Sequence, residues 1–126
     1  MNWAITLIIA NYTSIENRMK NVLSYLFTTD NSFKCILSSI DATGNIGGHL
    51  TQQLNKSERS LQIDNMQLLE LCNEDGQIIE IDLALYGHSD FRIIIRDGNS
   101  IDILGDKNEL PAEVIGPFEY IDVKLF

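Results

Sequence analysis

The second half of this sequence is short of positive charge. Residues 64–126 hold fourteen acids against four bases (Arg92, Arg96, Lys107 and Lys124), a balance of −10, whereas residues 1–63 carry a balance of +1. A field of that sign repels nucleic acid and anionic membranes and attracts basic surfaces. Cysteine is equally scarce. Cys35 and Cys72 are too few for a disulfide framework, and each falls in an apolar run, so both are expected to be reduced and buried, as in a cytoplasmic protein. No hydrophobic run approaches the roughly 20 residues needed to span a bilayer. The nearest, Trp3 to Ala10, follows no basic segment and precedes no small-residue cleavage site, so a buried strand is expected there rather than a signal peptide. The chain opens at Met1 without a visible tag, and a complete natural chain is the expectation.

What is present suffices for one domain of 126 residues, with enough core to need no staple. A hydrophobic content of 44% with 21% charged residues is that of a folded globular protein. After the first strand, Thr13 and Glu16 have the spacing of a capping box, and Ile15, Met19, Val22, Leu23 and Leu26 recur at helical intervals. They predict a helix over 14–28, broken by Asp30 and Asn31. Phe33 to Ile40 follows as a second strand, and a right-handed crossover results if it runs parallel to the first. Residues 42–64 open with a glycine-rich loop, Ala42 to Gly48, and fit helix and strand equally well.

Met66 to Cys72 and Gln77 to Leu85 read as a hairpin turning at Glu74-Asp75-Gly76. The expected register pairs Asn73 with Gln77, Leu71 with Ile79, Glu70 with Glu80 and Leu69 with Ile81. One face then carries Leu69, Leu71, Ile79, Ile81, Leu83 and Leu85 into the core. The other presents Met66, Leu68, Glu70, Cys72, Ile78, Glu80 and Asp82. A second hairpin, Phe91 to Asp97 and Ser100 to Leu104, pairs Ile95 with Ile101 and Ile93 with Ile103 around Asp97-Gly98-Asn99. Its Arg92, Arg96 and Asp102 offset one another on the opposite face. Pro111 and Pro117 bracket a short segment, and Phe118 to Phe126 alternates as a final strand. The sum is an α+β fold: a mainly antiparallel sheet of about six or seven strands with one helix, or two, packed on it.

Reaction chemistry is hard to find. His88-Ser89-Asp90 has the residue types of a triad, but sequence neighbours do not converge on one atom, and a polar turn is the expected reading. Cys35, His49, Cys72 and His88 lack paired-ligand spacing, so no metal site and no cofactor is expected. Gly44-Asn45-Ile46-Gly47 has the spacing of a KH-type loop but follows a strand and lacks basic residues. No Gly-Lys-Ser/Thr follows to make a phosphate loop.

Glu70 to Asp82 holds five carboxylates in thirteen residues and no cation. On an exposed sheet face these do not form the cleft that acid–base catalysis needs. A solvated face that shields an edge strand would account for them, as would a docking surface. Like charges opposed across strands cost about 0.2–1 kcal/mol unless a cationic partner offsets them. Apolar anchors within a charged rim describe a protein interface. The expected partner-binding residues are Met66, Leu68, Glu70, Glu74, Asp75, Ile78, Glu80 and Asp82.

In whole-chain character, with the acidic second half centred on ELCNEDGQIIEID and a compact α+β frame, the sequence resembles the immunity proteins of bacterial contact-dependent growth inhibition. The resemblance implies a cytoplasmic, non-enzymatic inhibitor that binds a cognate toxin domain with a basic surface. A nuclease is the expected toxin, covered at its substrate groove or at an exosite. Two other classes compete with it: an enzyme with a site near His88 and Asp90, and a scaffold subunit docking through its sheet.

Overall fold

The computed structural model describes residues 3–8, 14–56, 59–106 and 120–125, with Ile8 and residues 120–125 described by their backbone alone. In chain order the elements are β1 (Trp3–Ile8), α1 (Ile15–Thr29), β2 (Lys34–Ala42), α2 (Asn45–Asn55), β3 (Leu61–Ile63), α3 (Asn65–Asn73), β4 (Ile78–Tyr86), β5 (Phe91–Arg96), β6 (Ser100–Gly105) and β7 (Tyr120–Leu125). The strands form one sheet in the order β3-β2-β4-β5-β6-β1-β7, antiparallel at every junction. The α+β class and the antiparallel sheet agree with the sequence reading. β1 and β2 run in the same direction, but β6, β5 and β4 lie between them, so α1 spans a wide crossover.

Period-2 alternation in the strands and helical spacing in α1 converge on one core. Trp3, Ile5 and Leu7 from β1, Leu83 and Leu85 from β4, and Ile93, Ile95, Ile101 and Ile103 from the β5–β6 hairpin are buried in one cluster. Met19, Val22, Leu23 and Leu26 of α1 and Leu68 and Leu71 of α3 join them there. That hairpin has the expected register, Ile95 opposite Ile101 and Ile93 opposite Ile103. Asp97 and Gly98 both take positive φ (59° and 66°), the handedness that a tight hairpin turn requires.

Three expectations are corrected. α1 is capped by Ser14, whose hydroxyl accepts from the Asn17 N–H at 3.1 Å; Thr13 lies outside the described residues. The segment 42–64 contains a helix and a short edge strand, so Gly47 and Gly48 belong to α2 and not to a loop. Most consequentially, Met66 to Cys72 is not a strand. Asp64 caps α3 by accepting from the Gln67 N–H at 2.7 Å, and Leu68, Leu71 and Cys72 make an i, i+3, i+4 buried stripe. There is no Glu70–Glu80 pairing. β4 pairs instead with β2 and β5. The segment between Pro111 and Pro117 lies outside the described residues, and the final strand is β7.

β6 passes close to β1 at Gly105, which pairs with Trp3. A Cβ at Gly105 would come 2.3 Å from Trp3 Cζ2, and the indole is itself buried edge-on to Phe91. Gly105→Ala is expected to cost about 1–3 kcal/mol through overpacking. Urea unfolding followed by the fluorescence of Trp3, the single tryptophan, measures it.

Candidate functional site

The docking face expected from the sequence is divided in the structure. Leu68 and Ile78 are core residues, Glu70 is exposed on α3, and Met66, 70% exposed, stands at the start of that helix. Asp82 is taken up by Arg92 across the sheet, with Arg92 Nε donating to Asp82 Oδ1 at 2.9 Å. Glu74 turns inward: its carboxylate accepts from the backbone N–H groups of Ile46 (2.8 Å) and Gly47 (2.8 Å) at the start of α2. Asp75 and Glu80 stay exposed, Glu80 at the corner where the β2–β4 ladder ends.

That corner is built by β2 and β4. The ladder pairs Asp41 with Glu80 and then Ala42 with Ile78, so Ile79 is the extra residue of a bulge. The bulge reverses the expected facing: Ile78 is buried and Ile79 is 37% exposed. Near Ile79 the chain places three exposed carboxylates, Asp41, Glu80 and Asp97, and a fourth, Asp75, lies exposed four residues upstream of it. Asp41 and Glu80 oppose each other across the ladder. Asp97 arrives on the β5–β6 turn, because the Gly98 N–H donates to the Ile79 carbonyl at 2.9 Å. Asp75 arrives with the α3–β4 connection, which is clasped to β2: the Thr43 N–H donates to the Gln77 carbonyl, and the Gln77 N–H to Thr43 Oγ1, each at 2.9 Å. A cavity of about 330 Å³ opens beside Ile79, with Glu16 and Asp97 on its walls and Ile15 and Ile78 beneath. None of these five carboxylates makes an ion pair among the described residues; Arg96, beside Asp97 in sequence, reaches Asp102 at 3.9 Å instead.

The sequence reading identified Asp75 and Glu80 and missed Asp41, Asp97, Glu16 and Ile79. A turn at Asp97-Gly98-Asn99 was legible in the sequence. Its proximity to Ile79 was not, because that depends on the bulge.

The remaining candidates have partners within the fold. The His88 N–H donates to Asp30 Oδ2 at 2.8 Å, and the Gly87 N–H to Asp90, so the segment is a turn tied to the end of α1. The Ser32 hydroxyl, then the His88 and Ser32 backbone N–H groups, hold the Asp30 carboxyl down to about 2. Cys35 packs between strands, and burial raises its thiol to about 11; burial raises Cys72, on α3, to about 12. Among the described residues no group of three or more His, Cys, Asp and Glu is arranged to hold a metal, and no helix is long and apolar enough to cross a membrane. A broad groove beside β3, bordered by Asn31, Gln62, Met66 and Gln67, carries amides and no concentrated charge.

Two outcomes follow from these shifts. Because Asp30 is depressed in the folded state, its stabilising effect is complete above about pH 4 and is lost as pH falls towards 2. Asp30→Asn should therefore flatten the acid limb of the stability profile between pH 5 and 2, as read by denaturant midpoints. The two thiols, protonated and buried, should ignore an aromatic disulfide reagent at pH 8 until the protein is unfolded, when both react.

Comparison of the chain with protein-family models, with curated proteins and with solved structures finds no match.

Proposed function

We propose that this protein is a cytoplasmic immunity protein that binds and neutralises a cognate toxin domain, a nuclease with a basic substrate groove, through the acidic corner at Asp41, Asp75, Glu80 and Asp97. The observation that carries the reading is the contrast between two sets of carboxylates. Asp82 and Asp102 on the open sheet face are matched by Arg92 and Arg96, whereas the corner carboxylates are matched by nothing among the described residues. Asp41 and Glu80 sit directly opposite each other, an arrangement that costs about 0.2–1 kcal/mol in the free protein. A basic partner turns that cost into attraction, and an acidic patch accelerates encounter with it. Exposed Ile79, next to Glu80 and held against the Asp97-Gly98 turn, supplies the apolar anchor that charge alone lacks.

The carboxylates take the place of substrate phosphates in the toxin's groove. Competition between the protein and the nucleic-acid substrate in a nuclease assay tests that arrangement, and non-competitive inhibition would indicate an exosite instead. Co-expression with the toxin encoded beside it tests the reading as a whole: cells carrying the chain should survive that toxin and no unrelated one. The double charge reversal Asp41→Lys, Glu80→Lys should weaken the complex by at least about tenfold and abolish much of its salt dependence, because close interfacial charge pairs contribute about 1.5–7 kcal/mol. The same change at Glu70, away from the corner on α3, should have little effect. Unchanged affinity in the double variant would remove the corner from the interface, and failure to protect against any toxin would remove the function.

A further inference from the structure

Helix α2 is weakly encoded by its own sequence. Its N-cap is Gly44, with φ 95° and no side-chain cap, and its first turn contains Gly47 and Gly48 but no acid. Each glycine lowers helix propensity about fivefold relative to alanine. The helix runs only 11 residues, and only Gly47 and Leu50 of them are buried. A segment of that length and composition does not hold a helix in water without outside support.

The support comes from a distant residue. Both carboxylate oxygens of Glu74 face the α2 N-terminus, accepting from Ile46 N–H (2.8 and 3.1 Å) and Gly47 N–H (2.8 Å). These are the donors an ordinary N-cap satisfies, and a negative charge there also meets the positive end of the helix dipole. Gly44 makes the arrangement possible: a Cβ on it would lie 2.8 Å from Glu74 Cδ. The glycine that denies the helix its own cap thus admits a remote one. A second tether, Thr51 Oγ1 to the Ala42 N–H at 3.1 Å, acts one turn further on.

We propose that α2 is a conditional helix, a local unit that opens and closes independently of the sheet, with the Glu74 carboxylate as its latch. The inference stands apart from the partner reading. The β2–β4 ladder and the core beneath α1 and α3 continue without α2, whose only large fully buried side chain is Leu50.

Hydrogen–deuterium exchange on the full chain tests it. In Glu74→Ala the amides of Leu50 to Asn55 should exchange about tenfold faster, the loss of a charged cap, while those of Leu83, Ile93 and Ile103 stay within about twofold of the parent. Glu74→Gln, which keeps the side chain's size, should give the same pattern at smaller amplitude and serves if the alanine variant folds poorly. Gly48 has open space around its Cα, so Gly48→Ala is free of clash. In either Glu74 background it should restore protection of α2 by about fivefold without altering the sheet. Uniform acceleration of helix and sheet amides would make Glu74 an ordinary global contact and overturn the proposal. So would unchanged exchange in α2, or a Gly48→Ala variant that restores nothing.

Discussion

The ladder between β2 and β4 determines which side chains this protein shows and which it hides. It contains two irregularities, one between Leu37 and Ser39 and one between Asp41 and Ala42. The first keeps Cys35 and Leu37 in the core and then shifts parity so that Ile40 and Ala42 also face inward. The second expels Ile79 and buries Ile78 three residues before Ile81. A bulge changes the facing of everything beyond it, because side chains alternate with a period of two. Asp41 meets Glu80 because of the first irregularity, in which Ser38 is the extra residue of β2. Immediately beyond the ladder, the Thr43–Gln77 clasp fixes the α3–β4 connection, with Asp75 exposed on it and Glu74 at the start of α2.

The carboxylates therefore divide by their surroundings. Asp64 caps a helix, Glu74 caps another, Asp82 and Asp102 hold arginines, and Thr6 Oγ1 donates to Asp102 at 2.6 Å. Those groups are accounted for by the fold. Asp41, Asp75, Glu80 and Asp97 are not. Opposed like charges at that corner disfavour folding slightly and would favour a basic partner, which is the ground of the proposed interface. Net charge alone does not draw the distinction; it requires knowing which acids already have a donor.

Much of the sheet was legible because its strands bury one face and so alternate unambiguously. The register of the β5–β6 hairpin was legible from Ile93, Ile95, Ile101 and Ile103 and a turn rich in Asp, Gly and Asn, and its strand ends to within a residue. The segment from Met66 to Cys72 was misread for a specific reason. Leu69 and Leu71 satisfy a period of two, Leu68, Leu71 and Cys72 a period near 3.6, and seven residues do not separate the two. The signal that favoured the helix was outside the run: Asp64, with Gln67 three residues later, at capping distance. The following Glu74-Asp75-Gly76 suited a hairpin turn equally well, which made the strand reading self-consistent. In the structure, Gly76 instead lies against β2, where a Cβ would be 2.4 Å from the Thr43 carbonyl.

The sequence by itself determined the α+β class, the extent of α1 to within a residue, the β5–β6 register and the location of the excess negative charge, since each follows from local periodicity, turn chemistry or counting. Only the tertiary structure decided what that charge faces. Strand order brings Asp41, some 40 residues upstream, opposite Glu80, and a single bulged residue exchanges Ile78 for Ile79 at the surface. Both are long-range consequences of pairing, which leaves no mark on the neighbouring residues. The stretch from Glu70 to Asp82 consequently has three environments where the sequence suggested one: an exposed helix end, a half-buried cap for α2 and part of an acidic corner.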